Sequence, residues 1–167
     1  MDALPKRRSS GRPVTGARYR IRPARAADIA AVAAIEQEVF ADPWSANDFQ
    51  ECVAGGVLFS VATARAAVAG YVVAHHAADE GEILNLAVTP LHRRRGLGRA
   101  LVRHVLGRLA RRMVKIVFLE ARQSNTAARR LYESLGFVGV GRRPGYYRRP
   151  LEDAVILRVT LAQVAYL

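Results

Sequence analysis

The chain has 167 residues, and its apolar content of 51% is sufficient for one buried core. Its only cysteine, Cys52, excludes an intrachain disulfide, and no apolar run approaches the length of a membrane-spanning helix. The formal net charge is +12, and residues 1–25 carry +7 of it, with eight Lys/Arg and one Asp.

The basic N-terminus and the rest of the chain differ in composition. Residues 1–17 contain few apolar side chains and predict a disordered basic extension, whereas residues 18–167 predict one domain without internal repeats. Such an extension suits either salt-sensitive contact with RNA phosphates or a purely solubilising role, and it also resembles a short, poorly amphipathic transit sequence. We expect a cytoplasmic monomer that does not bind membranes.

The first half of the domain alternates short strands with amphipathic helices. Residues 20–22 predict an edge strand, and residues 28–40 predict a helix whose apolar side chains recur every three to four positions. The sequence Ser45-Ala46-Asn47-Asp48 is typical of a capping box that starts a second, short helix. Apolar runs then predict two antiparallel strands over residues 57–62 and 66–74.

The most informative stretch joins an apolar strand, residues 83–88, to a long helix with inward side chains Leu97, Leu101, Val105 and Leu109. Between them lies the turn Arg93-Arg94-Arg95-Gly96-Leu97-Gly98-Arg99. Glycines allow a ligand to approach the backbone, and the first amides of a helix attract anions, so the turn predicts a pyrophosphate site. The alternative is a solvated surface turn, since Arg-rich turns before helices are most often solvated. The Gly-Lys-Ser/Thr ending of a Walker loop and the third glycine of a dinucleotide fingerprint are missing.

A carboxylate follows the next apolar strand. Residues 116–119 form a nearly unbroken apolar run, typical of a strand covered on both faces, and Glu120 comes directly after them. Ligands of open α/β sheets gather at the carboxyl ends of strands, which makes Glu120 a candidate general base. The alternative is an ion pair between Glu120 and Arg122 or another arginine.

The C-terminal third predicts one more helix. Ser124 or Asn125 is placed to cap it, and Gly136 suits the left-handed position that ends it. Tyr132 lies on its inner face and is, by default, a core tyrosine.

Two strands are predicted to close the domain, over residues 137–143 and 154–161. The loop bearing Trp44 and a loop bearing Tyr146-Tyr147 are expected to flank the entrance to a site at the sheet edge. These aromatic side chains either contact a substrate or serve packing alone.

Taken in order, these motifs resemble the GNAT acetyltransferases. The matching stretches are Asn85-Leu86-Ala87-Val88, Arg93-x-x-Gly96-x-Gly98-Arg99-Ala100-Leu101, Leu119-Glu120-x-Arg122-x-Ser124-Asn125 and Leu131-Tyr132-Glu133-Ser134-Leu135-Gly136-Phe137. Within that superfamily the chain is most similar to the RimI-type ribosomal-protein alanine N-acetyltransferases, which the further matches Pro43-Trp44-Ser45, Tyr146-Tyr147 and Glu152-Asp153-Ala154 favour. The resemblance covers roughly residues 18–161. It implies an α/β fold with a mixed, mostly antiparallel central sheet, a splayed parallel pair at its centre and about four flanking helices.

The resemblance also implies that acetyl-CoA is the acetyl donor. No metal is expected, because the four histidines lack a metal-ligand spacing. The acetyl and pantetheine portions of acetyl-CoA would meet backbone groups of Leu86, Ala87 and Val88, and Asn125 would contact the pantetheine arm. Its pyrophosphate would be wrapped by the turn residues Arg94, Arg95, Gly96, Leu97, Gly98 and Arg99.

The reaction implied by the resemblance is direct transfer of the acetyl group to the N-terminal amine of a protein, first of all a ribosomal protein beginning with alanine. Glu120 would act as general base, and Tyr132 would return a proton to the departing thiolate. The expected acceptor contacts are Trp44, Glu82, Tyr146 and Tyr147. Glu82 alternatively assists Glu120 or simply faces solvent.

Two other interpretations stay open. The chain could acetylate a small amine or a protein lysine, or it could be a basic ribosome- or RNA-binding module that keeps the fold without catalysis. No RNA-reading motif with surface aromatics supports the second. The stretch Arg111-Arg112-Met113-Val114 lacks the glycine that often ends the long helix in the family, so that helix boundary is open.

Overall fold

The computed structural model describes residues 19–163, and the predicted extension over residues 1–17 lies outside this part. Its strands are β1 (Tyr19–Pro23), β2 (Leu58–Ala64), β3 (Ala67–Ala77), β4 (Glu80–Val88), β5 (Ile116–Arg122), β6 (Val138–Arg148) and β7 (Leu151–Thr160). Its helices are α1 (Ile29–Val39), α2 (Ala46–Ala54), α3 (Leu97–Ala110) and α4 (Thr126–Glu133).

The strands form one sheet in the order β1-β2-β3-β4-β5-β7-β6. Every neighbouring pair is antiparallel except β4 and β5, which run parallel at the centre. The predicted fold class and each predicted helix and strand are therefore confirmed. The capping box is also confirmed, because Ser45 and Asp48 exchange hydrogen bonds at the start of α2.

The last hairpin differs from the prediction. β6 and β7 are longer than expected, so Tyr146 and Tyr147 lie on β6 and the prediction of a loop there was wrong. Tyr147 pairs with Glu152 across the hairpin, whose tip is formed by Arg149 and Pro150. Because this pairing depends on the partner strand, the apolar periodicity of β6 alone did not reveal it.

Two apolar layers hold the sheet between the helices. On one face, α3 buries the side chains Leu97, Leu101, Val102, Val105, Leu106 and Leu109. On the other face, α1 and α2 pack their inward side chains, including Ile29, Val32, Ile35 and Phe49, against Phe59, Tyr71 and Val73. Each large side chain removed from water contributes about 1.5–3 kcal/mol, so burial on both faces dominates the stability of the fold.

The central parallel pair is hydrogen-bonded over only part of its length. Its register runs through four residue pairs and stops where Ile83 faces Leu119. Directly afterwards β4 carries a bulge, in which Leu84 is the extra residue between Ile83 and Asn85. A bulge bends a strand and increases its twist, so β4 turns away from β5 and a gap opens between them.

α3 ends without a glycine. Met113 takes a left-handed φ of 63°, and the amide of Val114 donates a hydrogen bond of 3.2 Å to the carbonyl oxygen of Leu109. A left-handed residue after the last helical turn is a common way to end a helix, although glycine is favoured there. The helix boundary that the sequence left open is therefore at Ala110, with Met113 in the position of the missing glycine.

The close approach of β4 to Gly70 on β3 predicts that a larger residue at this position destabilises the fold. A methyl group at Gly70 would lie 2.7 Å from the carbonyl oxygen of Ala87 on β4, which is closer than van der Waals contact allows. We expect Gly70→Ala to lower the free energy of unfolding by about 1–3 kcal/mol, measured by urea denaturation. Gly139→Ala on β6 is the matched control, since no described atom lies within 4 Å of its added methyl. Equal losses in the two variants would contradict the prediction.

Candidate active site

The gap between β4 and β5 is the floor of a cleft of about 1040 Å³. Its walls come from the loop after α1, the turn before α3, the start of α4 and the hairpin between β6 and β7. These segments are far apart in the sequence, and they meet at the carboxyl ends of the two parallel strands. This is the position where open α/β sheets bind ligands.

The turn before α3 forms one end of the cleft. Gly96, the N-cap of α3, takes a left-handed φ of 79°, and no described atom lies within 4 Å of the place of a side chain there. Of the six residues predicted to wrap a pyrophosphate, five line the cleft: Arg94, Gly96, Leu97, Gly98 and Arg99. The sixth, Arg95, is exposed and does not line it. The first amides of α3 and the helix dipole make this end suited to an anion.

Hydrogen bonds from arginine side chains connect the elements at this end of the cleft. Arg93 Nε donates a hydrogen bond of 3.0 Å to the carbonyl oxygen of Val88, which fixes the turn to the end of β4. Arg99 Nη2 donates a hydrogen bond of 2.8 Å to the hydroxyl oxygen of Ser134, which links α3 to the end of α4. Arg130 lines the same cleft. Their guanidinium groups concentrate positive charge where a phosphate group would lie.

Backbone groups at the end of β4 lack a strand partner on the side of β5. Leu86, Ala87 and Val88 all line the cleft, as predicted. β3 pairs with these residues on one side, but the pairing with β5 on the other side has already ended at Ile83. Backbone groups on that side have no strand partner in the described part of the chain, so apart from the Val88 carbonyl oxygen, which accepts a hydrogen bond from Arg93, they are available to a ligand.

Glu120 stands at the end of β5, between the cleft and a smaller pocket of about 290 Å³. Its Oε1 atom lies 3.1 Å from Arg143 Nη1 on β6, and its side chain is 15% exposed. The ion pair that the sequence left open is thus formed with Arg143 and not with Arg122. Burial, followed by the neighbouring Glu120 carboxylate, raises the pKa of Tyr146. Glu120 is therefore held in place beside an aromatic hydroxyl while still facing the cleft.

Arg122 holds the β6–β7 hairpin against the end of β5. Its guanidinium donates a hydrogen bond of 3.0 Å to the carbonyl oxygen of Arg149 and lies 4.1 Å from the ring centroid of Tyr147. It also forms an ion pair of 3.4 Å with Glu152, whose other carboxylate oxygen accepts a hydrogen bond from the amide of Ser124. This network fixes the β6–β7 hairpin, the wall of the cleft that carries Tyr147. Burial raises the pKa of the Tyr147 hydroxyl to about 12.

α4 places Asn125 in the cleft but Tyr132 beneath its surface. Asn125 lines the cleft and is the N-cap of α4, since its Oδ1 accepts a hydrogen bond of 3.1 Å from the amide of Ala128. Tyr132 is 7% exposed, packs edge-on against Phe137 with ring centroids 5.7 Å apart, and does not line the cleft. Burial raises the pKa of Tyr132, so its hydroxyl keeps its proton at neutral pH.

Three of the four predicted acceptor contacts line the cleft: Trp44, Tyr146 and Tyr147. The fourth, Glu82, lies instead in the smaller pocket next to Glu120. Its Oε2 atom is 3.9 Å from His75 Nε2, and its side chain is 42% exposed. Glu82 is thus a half-exposed residue in the paired part of β4, and it shares the smaller pocket with Glu120.

The sequence analysis missed a buried carboxylate at the cleft. Glu36 on α1 is 1% exposed and lines the cleft beside the loop that carries Trp44. A signal was present, because Glu36 lies four residues after Val32, on the helix face predicted to be apolar. A charged residue on such a face is rare unless its polar atoms are paired.

The fold and the cleft define a class of protein. The two central parallel strands diverge, a basic helix N-terminus lies at one end of the cleft, and a carboxylate stands near the end of one strand. This arrangement suits an enzyme that binds an anionic ligand next to a carboxylate. Within residues 19–163, no group of three or more His, Cys, Asp or Glu is placed to hold a metal ion. No helix of the same range is both long and apolar enough to cross a membrane.

Comparison with known sequences identifies the family. The model of the acetyltransferase (GNAT) family matches residues 24–137. The chain is 37% identical over 137 residues to the ribosomal protein bS18 alanine N-acetyltransferase of Escherichia coli (strain K12), covering 81% of this chain and 93% of that relative. It is 32% identical over 130 residues to the enzyme of the same name from Haemophilus ducreyi (strain 35000HP / ATCC 700724), covering 76% and 90% of the two chains.

Comparison with solved structures identifies the same family. The crystal structure of the ribosomal-protein-S18-alanine N-acetyltransferase from Escherichia coli superposes with a TM-score of 0.80 at 34% identity, covering 90% of this chain and all of that one. The structure of Ard1 from Thermoplasma volcanium gives a TM-score of 0.77 at 28% identity, with 85% and 97% covered. The chain belongs to the GNAT family and is an N-acetyltransferase.

The Glu152 network predicts a pH dependence of stability. Hydrogen bonds from Ser124 and the ion pair with Arg122 hold the pKa of Glu152 below its ordinary value. A carboxylate with a lowered folded-state pKa stabilises the fold above its unfolded pKa of about 4.3, and this stabilisation is lost as the pH falls through the folded-state pKa. We expect the Tm of the wild type to fall more steeply in this acid range than the Tm of Glu152→Gln, measured by scanning fluorimetry.

The control for this comparison is Glu133→Gln, which changes an exposed glutamate at the end of α4. It should keep the steep pH slope of the wild type. If Glu152→Gln keeps that slope as well, the ion pair does not contribute to stability.

Proposed function

We propose that this chain uses acetyl-CoA to acetylate the N-terminal α-amine of a protein, with a ribosomal protein that begins with alanine as the leading substrate. The observation that carries the proposal is the position of Glu120, a carboxylate in the cleft whose other end is the basic turn before α3. The curated relatives named above are alanine N-acetyltransferases of ribosomal protein bS18, which supports this choice of acceptor.

The residues of the cleft fit acetyl-CoA, which supplies an activated acetyl thioester. The turn Arg94–Arg99 suits its pyrophosphate, because the left-handed Gly96 leaves open space beside the first amides of α3. Arg95 would contribute charge from outside the cleft. The unpaired edge of Leu86–Val88 suits the amides of the pantetheine arm, with Asn125 at the start of α4 as a further contact.

Glu120 would act as the general base. A peptide α-amine has a pKa of about 8, so much of it is protonated at neutral pH and must lose a proton before it attacks. Attack of the amine nitrogen on the thioester carbonyl forms the C–N bond and breaks the C–S bond, and Glu120 accepts the proton. A backbone amide near Val88 would polarise the carbonyl oxygen as it gains charge. Holding both substrates in one cleft supplies much of the rate, so no covalent enzyme intermediate is needed.

Tyr132 would return a proton to the sulfur of the leaving group. Its raised pKa keeps it protonated at neutral pH, as a proton donor must be. Because Tyr132 lies below the cleft surface, this role requires access to its hydroxyl when the substrates are bound. Tyr147 lines the cleft and is the alternative donor.

The acceptor would enter between the Trp44 loop and the β6–β7 hairpin. Trp44, Tyr146 and Tyr147 offer aromatic contacts there, and Glu82 would contact the acceptor or assist Glu120 from the smaller pocket. We further propose that the enzyme works as a monomer in the cytoplasm without a metal. The basic residues 1–17 would add a weak, salt-sensitive contact with the ribosome.

The acceptor class is tested by incubating the full chain with labelled acetyl-CoA and three kinds of amine. These are a peptide with the N-terminus of a ribosomal protein that begins with alanine, a peptide whose only free amine is a lysine, and polyamines. Mass spectrometry should find acetylation at the alanine α-amine. Preference for lysine or polyamines would overturn the proposed acceptor, and absence of acetyl-CoA binding by calorimetry would overturn the proposed donor.

Glu120→Gln tests the base. Because a general base contributes about 10²–10⁴-fold to a rate, we expect kcat to fall by at least about a hundredfold. The Kd for acetyl-CoA should stay within about twofold, because the donor is held by other residues. The exposed Glu38→Gln on α1 is the matched control and should keep full activity. Full activity of Glu120→Gln would remove Glu120 as the base.

Tyr132→Phe tests the acid and is compared with Tyr147→Phe. Single-turnover acetylation followed by rapid quench should slow by about tenfold or more in Tyr132→Phe, because the leaving thiolate loses its proton donor. Tyr147→Phe should mainly raise the acceptor KM. The reverse pattern would assign the proton to Tyr147, and unchanged single-turnover rates in both variants would count against a tyrosine acid.

A further inference from the structure

Glu36 is a buried carboxylate on α1. It lies on the buried face of α1 with 1% of its surface exposed, next to the apolar cluster that contains Val32, Phe49 and Tyr71. Burying an ionised carboxylate costs several kcal/mol unless its oxygens accept hydrogen bonds. An apolar residue would fill this helix position without that cost. The role of the carboxylate is therefore inferred from its hydrogen-bond partners.

Three neutral groups donate hydrogen bonds to this carboxylate. The Trp44 backbone amide and the Asn85 side-chain amide each donate to Oε1 at 3.0 Å, and the Tyr71 hydroxyl donates to Oε2. The donors come from the loop after α1, from β4 and from β3. One buried side chain therefore joins three separate elements.

Two of these elements, the Trp44 loop and β4, line the cleft. Trp44 belongs to the loop on the proposed acceptor side. Asn85 is the first residue of β4 after the bulge at Leu84, and it directly precedes the unpaired edge Leu86–Val88. Through its shared Oε1 atom, Glu36 sets the distance between the acceptor loop and the edge proposed to hold the acetyl end of the donor.

We propose that Glu36 is a positioning residue, which fixes the Trp44 loop against β4 so that the acceptor amine is aligned with the acetyl group of the donor. The inference rests on the proposed function, since it concerns the acceptor side of the same cleft. It assigns Glu36 no contact with either substrate. Its loss should therefore reduce use of the acceptor while binding of acetyl-CoA, held mainly by the turn before α3, persists.

Two substitutions at Glu36 separate the loss of its hydrogen bonds from the loss of its charge. Glu36→Met keeps the length of the side chain but removes every acceptor atom, whereas Glu36→Gln removes the charge and keeps one oxygen for the Trp44 and Asn85 donors. We expect kcat/KM for the alanine peptide to fall by about tenfold or more in Glu36→Met, and by less than about threefold in Glu36→Gln. The Kd for acetyl-CoA should stay within about twofold in both.

Trp44 provides a readout that needs no turnover, because it is the only tryptophan of the chain. Its ring packs against Phe49 with centroids 5.5 Å apart. When the backbone anchor at Glu36 is lost, quenching of the tryptophan emission by acrylamide should rise by about twofold or more in Glu36→Met and stay near the wild-type value in Glu36→Gln.

One control and one further variant separate this effect from general loss of stability. Ser60→Ala removes a hydroxyl that is 1% exposed and bonded to His104, away from the cleft, and should change neither acceptor kcat/KM nor quenching. Asn85→Val removes one donor to Glu36 and carries the test if Glu36→Met does not fold. It should lower acceptor kcat/KM by about threefold or more.

The outcomes distinguish the two proposals. A wild-type chain that acetylates none of the offered amines would overturn the proposed function, and the quenching comparison would still decide whether Glu36 anchors the loop. Unchanged acceptor kcat/KM and unchanged quenching in folded Glu36→Met, or in Asn85→Val, would overturn the positioning role. Equal losses in Glu36→Met and Glu36→Gln would also overturn it, because they would make charge the cause.

Discussion

The divergence of β4 from β5 after four residue pairs is the constraint on which the rest of the cleft depends. Parallel strands paired to their ends would satisfy each other's backbone groups and leave no gap. The bulge at Leu84 bends β4 away, while β3 keeps its pairing with the same strand on the other side. The sheet thus stays continuous on one side and exposes a free strand edge on the other.

Hydrogen bonds and ion pairs from side chains keep this gap at a defined width. On the side of β5, Arg122 and Glu120 bind the β6–β7 hairpin through Glu152 and Arg143. On the side of β4, Glu36 binds the loop after α1. Because these bonds join elements distant in the sequence, the walls of the cleft are held by a few polar contacts as well as by apolar packing.

The two ends of the cleft differ in charge. The turn before α3 and Arg130 on α4 concentrate guanidinium groups and free amides at one end, while at the other end Glu120 and Glu152 are paired with Arg143 and Arg122. The positive charge that lacks an acidic partner therefore lies at the end proposed to bind the anionic part of the donor.

The sequence by itself determined the helices, the strands, the glycine turn before α3 and the place of Glu120 at a strand end, because periodicity, capping residues and glycine conformation act over a few neighbouring residues. The tertiary structure alone decided which groups meet. It paired Glu120 with Arg143 instead of Arg122, left Arg95 outside the cleft and placed Tyr146 and Tyr147 on β6. It also brought three donors to Glu36. These contacts depend on the register between strands and helices that are remote in the chain, which local patterns do not encode.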